Sequence, residues 1–177
     1  MVGLPFEEKE DIYATAKLIN KLRKIDPRIA YGIATFRPYP KSEICESLKQ
    51  KGIFKEPENL RQWSDDKYVK NYTERTRSQP WQKYPRLASN VSFYYTMASG
   101  VLLGNHQISN KVLRGINSFF ISLGMWRTEK LMFACSIDKA IYVVFYRSYI
   151  KVDTLLKSRG ARREKQKQEK VIKAEVH

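Results

Sequence analysis

Glu7, Glu8, Glu10 and Asp11 crowd four carboxyl groups into a short stretch near the start of the chain. Two carboxyls so close could act as a general acid and base. The same residues also suit the first turn of a helix, where negative charge meets exposed N–H groups and the positive end of the dipole. Asp65-Asp66 and the Glu43/Glu46 pair read the same way, as solvated or helix-start charges. Cys45 and Cys135 are the only thiols, and they lie far apart in the sequence. His106 sits among polar residues with no cysteine at ligand spacing, which suits a surface histidine better than a metal ligand. The only other histidine is His177. No P-loop, Gly-x-Gly-x-x-Gly or Gly-x-Ser-x-Gly pattern occurs. These residue types give catalysis by this chain alone little support.

A second group could bind rather than react. Residues 61–86 interleave basic and aromatic side chains, among them Arg61, Lys67, Arg75, Arg77, Trp81 and Lys83. Cations for phosphates and ring faces for bases are what single-stranded nucleic-acid binding uses. The plainer reading is a loop whose aromatic residues pin it to the rest of the fold. Net charge is +15. Residues 1–60 contribute little of it, and the excess lies beyond them. That distribution points to RNA or an anionic lipid surface as partner, or to an acidic surface on a missing part of the same protein. Residues 87–110 carry no formal charge, but serine, asparagine, threonine, histidine and glutamine interrupt the apolar run. A helix packed on the fold or lying at a membrane surface is expected there, and a spanning helix is not. Acidic residues occupy the place of a signal peptide's apolar run, and two distant cysteines do not make a disulfide framework. The expected location is the cytoplasm, with peripheral contact to a membrane as a further expectation.

The elements that would position these groups follow from periodicity and punctuation. Residues 8–25 place Ile12, Ala16, Ile19 and Leu22 at helical spacing, and Asp26-Pro27 stops the helix. Val2 to Pro5 reads as a strand end, and residues 29–36 as a strand covered on both faces. Ser42 is set to cap a helix over 43–51, with Gly52 beyond its end. Strand, helix, strand, helix makes an α/β unit, one parallel βαβ crossover plus a helix. Residues 53–90 read as loop, 91–104 as apolar, 108–124 as a helix with Val112, Ile116, Phe119 and Phe120 on one side, and 127–157 as one long helix. The expected divisions are 1–56, a loop-rich connector over 57–90, a helical region over 91–157, and a basic, disordered tail over 158–177.

Three segments resemble a known family. GLPFEEKEDIYATAKLI (3–19) resembles the Gly-x-Pro-Gly-Glu-Thr segment and following helix late in the barrel of radical S-adenosylmethionine (SAM) enzymes. FRPYPKSEICESLKQKGI (36–53) resembles that superfamily's next strand end, Pro-x-Pro-Gly-Thr loop, helix and closing glycine. PENLRQWSD (57–65) resembles the tryptophan-containing segment of its cobalamin-binding clade. The resemblance implies the C-terminal part of a partial parallel (β/α) barrel with a helical extension, inactive by itself. It implies a SAM pocket lined by Gly3, Leu4, Pro5, Phe36, Arg37, Pro38 and Pro40, with Tyr39 near the rim, and Trp63 packed on the helix at 43–51. Phe6, Glu8, Lys41 and Ser42 depart from the usual glycines and threonines. The superfamily's Cys-x-x-x-Cys-x-x-Cys triplet is absent, as is a cobalamin-binding Asp-x-His-x-x-Gly stretch. This chain alone is therefore expected to hold no cofactor. For the intact enzyme the resemblance implies SAM, a four-iron four-sulfur cluster, cobalamin, and a partner segment carrying the rest of the barrel. The implied reaction is reductive cleavage of SAM, with methyl transfer as one form.

Overall fold

Pro85 opens the helix on which residues 1–136 are built. Proline suits a first helical position, where its missing N–H would have had no partner and its fixed φ is already helical. The helix runs from Pro85 to Ala98 and ends at Ser99, followed by Gly100 at φ +70°. Ten of its fourteen residues are buried, including Ser89, Asn90, Ser92 and Thr96. Burial on all sides marks a central helix rather than a surface one.

The computed structural model describes residues 1–29, 31–65 and 79–154. In chain order it contains α1 (Lys9–Ile25), α2 (Glu43–Gln50), the single turn α3 (Leu60–Trp63), the central α4 (Pro85–Ala98), a 3-10 turn (Asn105–Gln107) and α5 (Lys111–Lys130). Residues 137–154 form a further helix, α6. The chain divides into two compact units, 1–136 and residues from 137 onward. Within α6, the Tyr142 ring lies 6.1 Å from that of Phe145 and 6.4 Å from that of Tyr146. Among the described residues no helix is long and apolar enough to cross a membrane.

The expected α/β fold, a partial parallel barrel, is overturned: the structure is helical, with no strand and no sheet among the described residues. What remains of a ladder is one parallel bridge between Val2 and Thr35. It is closed by Val2 N–H to Ala34 O (3.0 Å) and Phe36 N–H to Val2 O (2.7 Å). Helix α4 explains why the ladder does not extend. The Ile33 carbonyl accepts a 2.7 Å bond from Ser92 Oγ, and Tyr31 packs edge-on against Tyr95. The segment's polar and aromatic groups are thus satisfied by a helix, and a backbone acceptor used this way is drawn away from a neighbouring strand. Two further expectations are corrected. Helix α4 begins inside the stretch read as loop. The span 127–157 is broken by a turn at 131–136, where Leu131 adopts φ +55° and closes α5.

Helix α1 has the expected limits, with the backbone leaving the helix at Asp26, but of its expected apolar stripe Ile12 and Ala16 are buried, Ile19 is half-buried and Leu22 is exposed. It meets α4 through Tyr95, whose hydroxyl donates to Ala16 O (2.7 Å) and lies 2.8 Å from Asn20 Oδ1. Helix α5 crosses α4 at Gly124. A Cβ there would stand 2.8 Å from Met97 Cε and 3.2 Å from the Ala98 nitrogen. Contrary to the expected apolar face of α5, Val112, Ile116 and Phe119 are exposed, and Phe120 is buried. The turn after α5 is held by Arg127. Its guanidinium lies 4.8 Å from the Tyr94 ring centroid and donates to Met132 O (2.9 Å) and Cys135 O (2.6 Å).

Two glycines of one helix should respond in opposite directions. Gly124→Leu is expected to lower stability by about 1–3 kcal/mol, the usual cost of overpacking. Gly115 has nothing within 4 Å of its would-be Cβ, so Gly115→Ala is expected to add about 1 kcal/mol from helix propensity. Denaturant titration of both variants checks the pair.

Candidate functional site

The Val2–Thr35 bridge brings together the two segments singled out by sequence, and a third segment, 79–84, closes over them. Gly3 follows the bridge at φ +83°, a conformation that glycine adopts without penalty. Its N–H donates to the Glu7 carboxylate. A Cβ on Gly3 would lie 2.4 Å from Gln82 Nε2 and 3.2 Å from Thr35 Cγ2. A side chain at Gly3 would displace the Gln82 amide, and the positive φ would strain it as well. Gln82 is fixed in turn by its own short turn, with Gln79 N–H donating to Gln82 Oε1 at 3.1 Å.

Beneath this junction lies a small apolar cluster of Phe36, Cys45, Leu48, Phe54 and Trp81, with Leu4 and Ile44 against it. Trp81 meets Phe36 (6.4 Å, 84°) and Phe54 (5.8 Å, 83°) edge-on. Edge-to-face contacts of this kind are favourable because the ring edge is positive and the face negative. Helix α2 supplies Cys45 and Leu48. Its start is capped as expected, by Ser42 Oγ accepting from Cys45 N–H (3.3 Å), and Gly52 at φ +66° follows its end. The tryptophan that packs on α2 is therefore Trp81. Trp63 lies in α3 and is half-buried.

The acidic cluster separates into three tasks. Asp11 Oδ2 accepts from Glu8 N–H (2.9 Å), capping α1. Glu8 pairs with Lys83 and accepts a 3.3 Å bond from Tyr84 O–H. Both partners of that ion pair are about half exposed, so its contribution is small. Glu7 is buried. Burial pushes its carboxyl above the ordinary value of 4.5, outweighing the Gly3 and Leu4 N–H groups, which favour the anion.

The cavity-lining set falls on both sides of the surface. Gly3, Phe36 and Pro38 are buried, Leu4, Pro5 and Arg37 half-buried, and Tyr39 and Pro40 exposed. Of the candidate nucleic-acid residues, Trp81 is 5% exposed, Lys83 is held by Glu8, and Arg61 is exposed. Lys67, Arg75 and Arg77 lie outside the described residues. Thr35 Oγ1 and Trp81 Nε1, both at the junction, are buried with no hydrogen-bond partner. Sequence reading gave no role to Gln82 or Thr35. The one signal was Gly3 itself, since a glycine at a strand end admits a close approach there and leaves the neighbour's identity open.

Cys45 is not placed to act as a thiolate. Burial raises the Cys45 thiol, and the Glu56 and Glu46 carboxylates raise it further, so thiolate is disfavoured. Donor atoms of Cys45, Glu46 and Glu56 lie within 4.8 Å of one another. The cation between the two carboxylates is Lys49 Nζ, at 3.0 Å from Glu46 and 2.8 Å from Glu56. Cys135 is exposed. No family profile, curated protein or solved structure matches the chain.

Two measurements test the junction. Trp81→Ala is expected to lower stability by about 3–5 kcal/mol, as for a buried aromatic, and more than Trp63→Ala, which removes a half-buried ring. Glu7 has a folded pKa above its unfolded one, so its contribution is fully present below the ordinary carboxylate value. It is lost as pH rises through the folded pKa. Glu7→Gln keeps an oxygen acceptor for Gly3 N–H and cannot ionise. Its stability relative to the parent is expected to improve as pH rises through that window, in denaturant titrations at stepped pH.

Proposed function

We propose that this chain is the C-terminal part of a radical SAM enzyme, inactive by itself, which completes a catalytic site carried elsewhere. The observation that supports this reading is the Val2–Thr35 register. Residues 3–5 and 36–40, the two segments that resemble consecutive SAM-pocket segments of that superfamily, both lead out from this one bridge. Gly3 is also in the one backbone region where its replacement would be strained.

The residues present do not fit a four-iron four-sulfur cluster. Such a site needs three thiolates for three irons, leaving the fourth for SAM, and the chain offers one buried and one exposed cysteine. Cobalamin is not fitted either, since His106 is exposed and lies outside any matching motif. SAM is fitted in part. Gly3 N–H is taken by Glu7, Phe36 N–H by Val2 O, and Gln82 lies over Gly3, so SAM would meet the half-buried Leu4, Pro5 and Arg37 edges rather than those donors. When bound, SAM would supply a methyl or 5′-deoxyadenosyl group. This chain's own part is to fix those edges: Glu7 holds the Gly3 turn, and Trp81 supports Phe36 from below.

A basic module for RNA is the competing reading. Its candidate stacking residue Trp81 is 5% exposed and packs against Phe36 and Phe54, so its ring is not presented to a base.

The test joins the chain with a polypeptide encoded by the adjoining gene sequence. That sequence is expected to encode Cys-x-x-x-Cys-x-x-Cys, and the pair to release 5′-deoxyadenosine from SAM under dithionite only when both are present. An adjoining sequence without the triplet, or a rate unchanged by omitting this chain, overturns the proposal. Alone, the purified chain is expected to gain no stoichiometric cluster on anaerobic reconstitution. Cluster absorbance that vanishes in Cys45→Ala would contradict this.

A further inference from the structure

We propose that the cleft between the second half of α1 and the C-terminal end of α5 binds the phosphate group of a multiply charged small molecule. The cleft has a volume of about 650 Å³ and is lined by Lys17, Lys21, Arg23, Lys24 and Lys130, against the single acid Glu129. That volume falls in the range of small-ligand sites. It shares no residue with the Gly3 junction, so it stands or falls apart from the enzyme reading.

The charge is not accounted for by the fold. Arg23, Lys24 and Lys130 lie in the last turns of α1 and α5, where cations meet the negative helix ends. Lys17 and Lys21 lie upstream of the last turn, where that effect has fallen away. None of the five cations makes an ion pair among the described residues. Five like charges beside a single acid repel one another, and a divalent or trivalent anion in the cleft relieves that repulsion.

The floor of the cleft is also fixed in place. The Arg23 guanidinium lies 4.8 Å from the centroid of the Tyr31 ring, which packs edge-on against Tyr95 at 5.9 Å. Tyr95 O–H lies 2.8 Å from Asn20 Oδ1, and Asn20, itself on the cleft wall, donates Nδ2–H to Thr128 O at 2.8 Å. Arg23 Nε is buried with no hydrogen-bond partner. A held guanidinium presents its planar donors in the fork that suits phosphate, and the lysines around it add mobile point charges. No aromatic ring lines the cleft. The group recognised is therefore the phosphate, whether it belongs to a soluble ester or to a lipid headgroup.

The full chain is titrated calorimetrically with sodium tripolyphosphate at about 0.1 M salt, where distant surface charges are largely screened. Single-site binding is expected, weakened about tenfold or more in Lys17→Gln/Lys21→Gln and in Arg23→Gln, since each removes charge-assisted contacts. Lys41→Gln/Lys51→Gln removes two exposed lysines outside the cleft and should leave affinity unchanged. Melting curves confirm that the variants fold. Equal loss in that control, or no binding by the parent, overturns the proposal. A second arm uses phosphatidylcholine vesicles containing phosphatidylinositol bisphosphate, with phosphatidylserine vesicles of matched charge as reference. Recruitment to the former alone, lost in the cleft variants, assigns a lipid headgroup. Tripolyphosphate binding without recruitment assigns a soluble ester. Equal recruitment to both vesicles, unaffected by the cleft variants, counts against the site.

Discussion

Ser92 Oγ donating to the Ile33 carbonyl, Asn90 Nδ2 to Phe133 O, and Tyr95 O–H to Ala16 O tie three separate segments to one helix. Helix α4 carries these polar groups into the core, and each needs a partner there. A buried donor left unmade costs about 1–3 kcal/mol, more than a typical surface contact contributes. Their partners are backbone carbonyls, whose positions are set by chain path rather than by side-chain choice. The result is that α1, the 31–36 segment and the turn after α5 are each placed by a named bond to α4. Close approach adds to this, since Gly124 lets the backbones of α4 and α5 come together.

The Gly3 junction depends on that arrangement at one remove. With Ile33 fixed by Ser92, Thr35 and Phe36 are presented to Val2, and the bridge forms. The segment just before α4 then has Trp81 and Gln82 in reach of Phe36 and Gly3. Residues that a reading of charge and aromaticity would assign to a nucleic-acid surface hold two chain segments together. The same economy applies to the acidic cluster, whose members cap a helix, pair with Lys83 and hold a glycine turn.

Charge and chemistry occupy different parts of the molecule. The junction is nearly neutral, with one buried carboxyl whose anion is disfavoured by its surroundings. The cleft between α1 and α5 gathers cations with a single acid beside them. The junction is held by backbone bonds at Val2 and by the Glu7 carboxylate on Gly3. A polyanion site needs uncompensated cations on a fixed floor, which the cleft provides.

Local features were legible in the sequence: α1 and its stop at Asp26-Pro27, the Ser42 cap of α2, and the glycine beyond it. Each depends on neighbours within about one helical turn, so local composition decides it. Parallel pairing of the Val2–Pro5 and 29–36 segments was expected from the strand–helix–strand reading, and one bridge of it, Val2–Thr35, is present. The sheet was not recoverable, because residues 29–36 look like a buried strand whichever partner covers them. Burial by α4 and burial between strands select the same uncharged residues. Trp81 and Trp63 are likewise indistinguishable by type, and only the turn at 79–82 decides which ring enters the cluster. Sequence by itself determined the limits of α1 and α2 and where charge accumulates, but not the start of α4 or the break at 131–136. Tertiary structure alone decided that the Ser92, Tyr94 and Tyr95 hydroxyls reach the Ile33, Cys135 and Ala16 carbonyls, because those pairings join residues tens of positions apart.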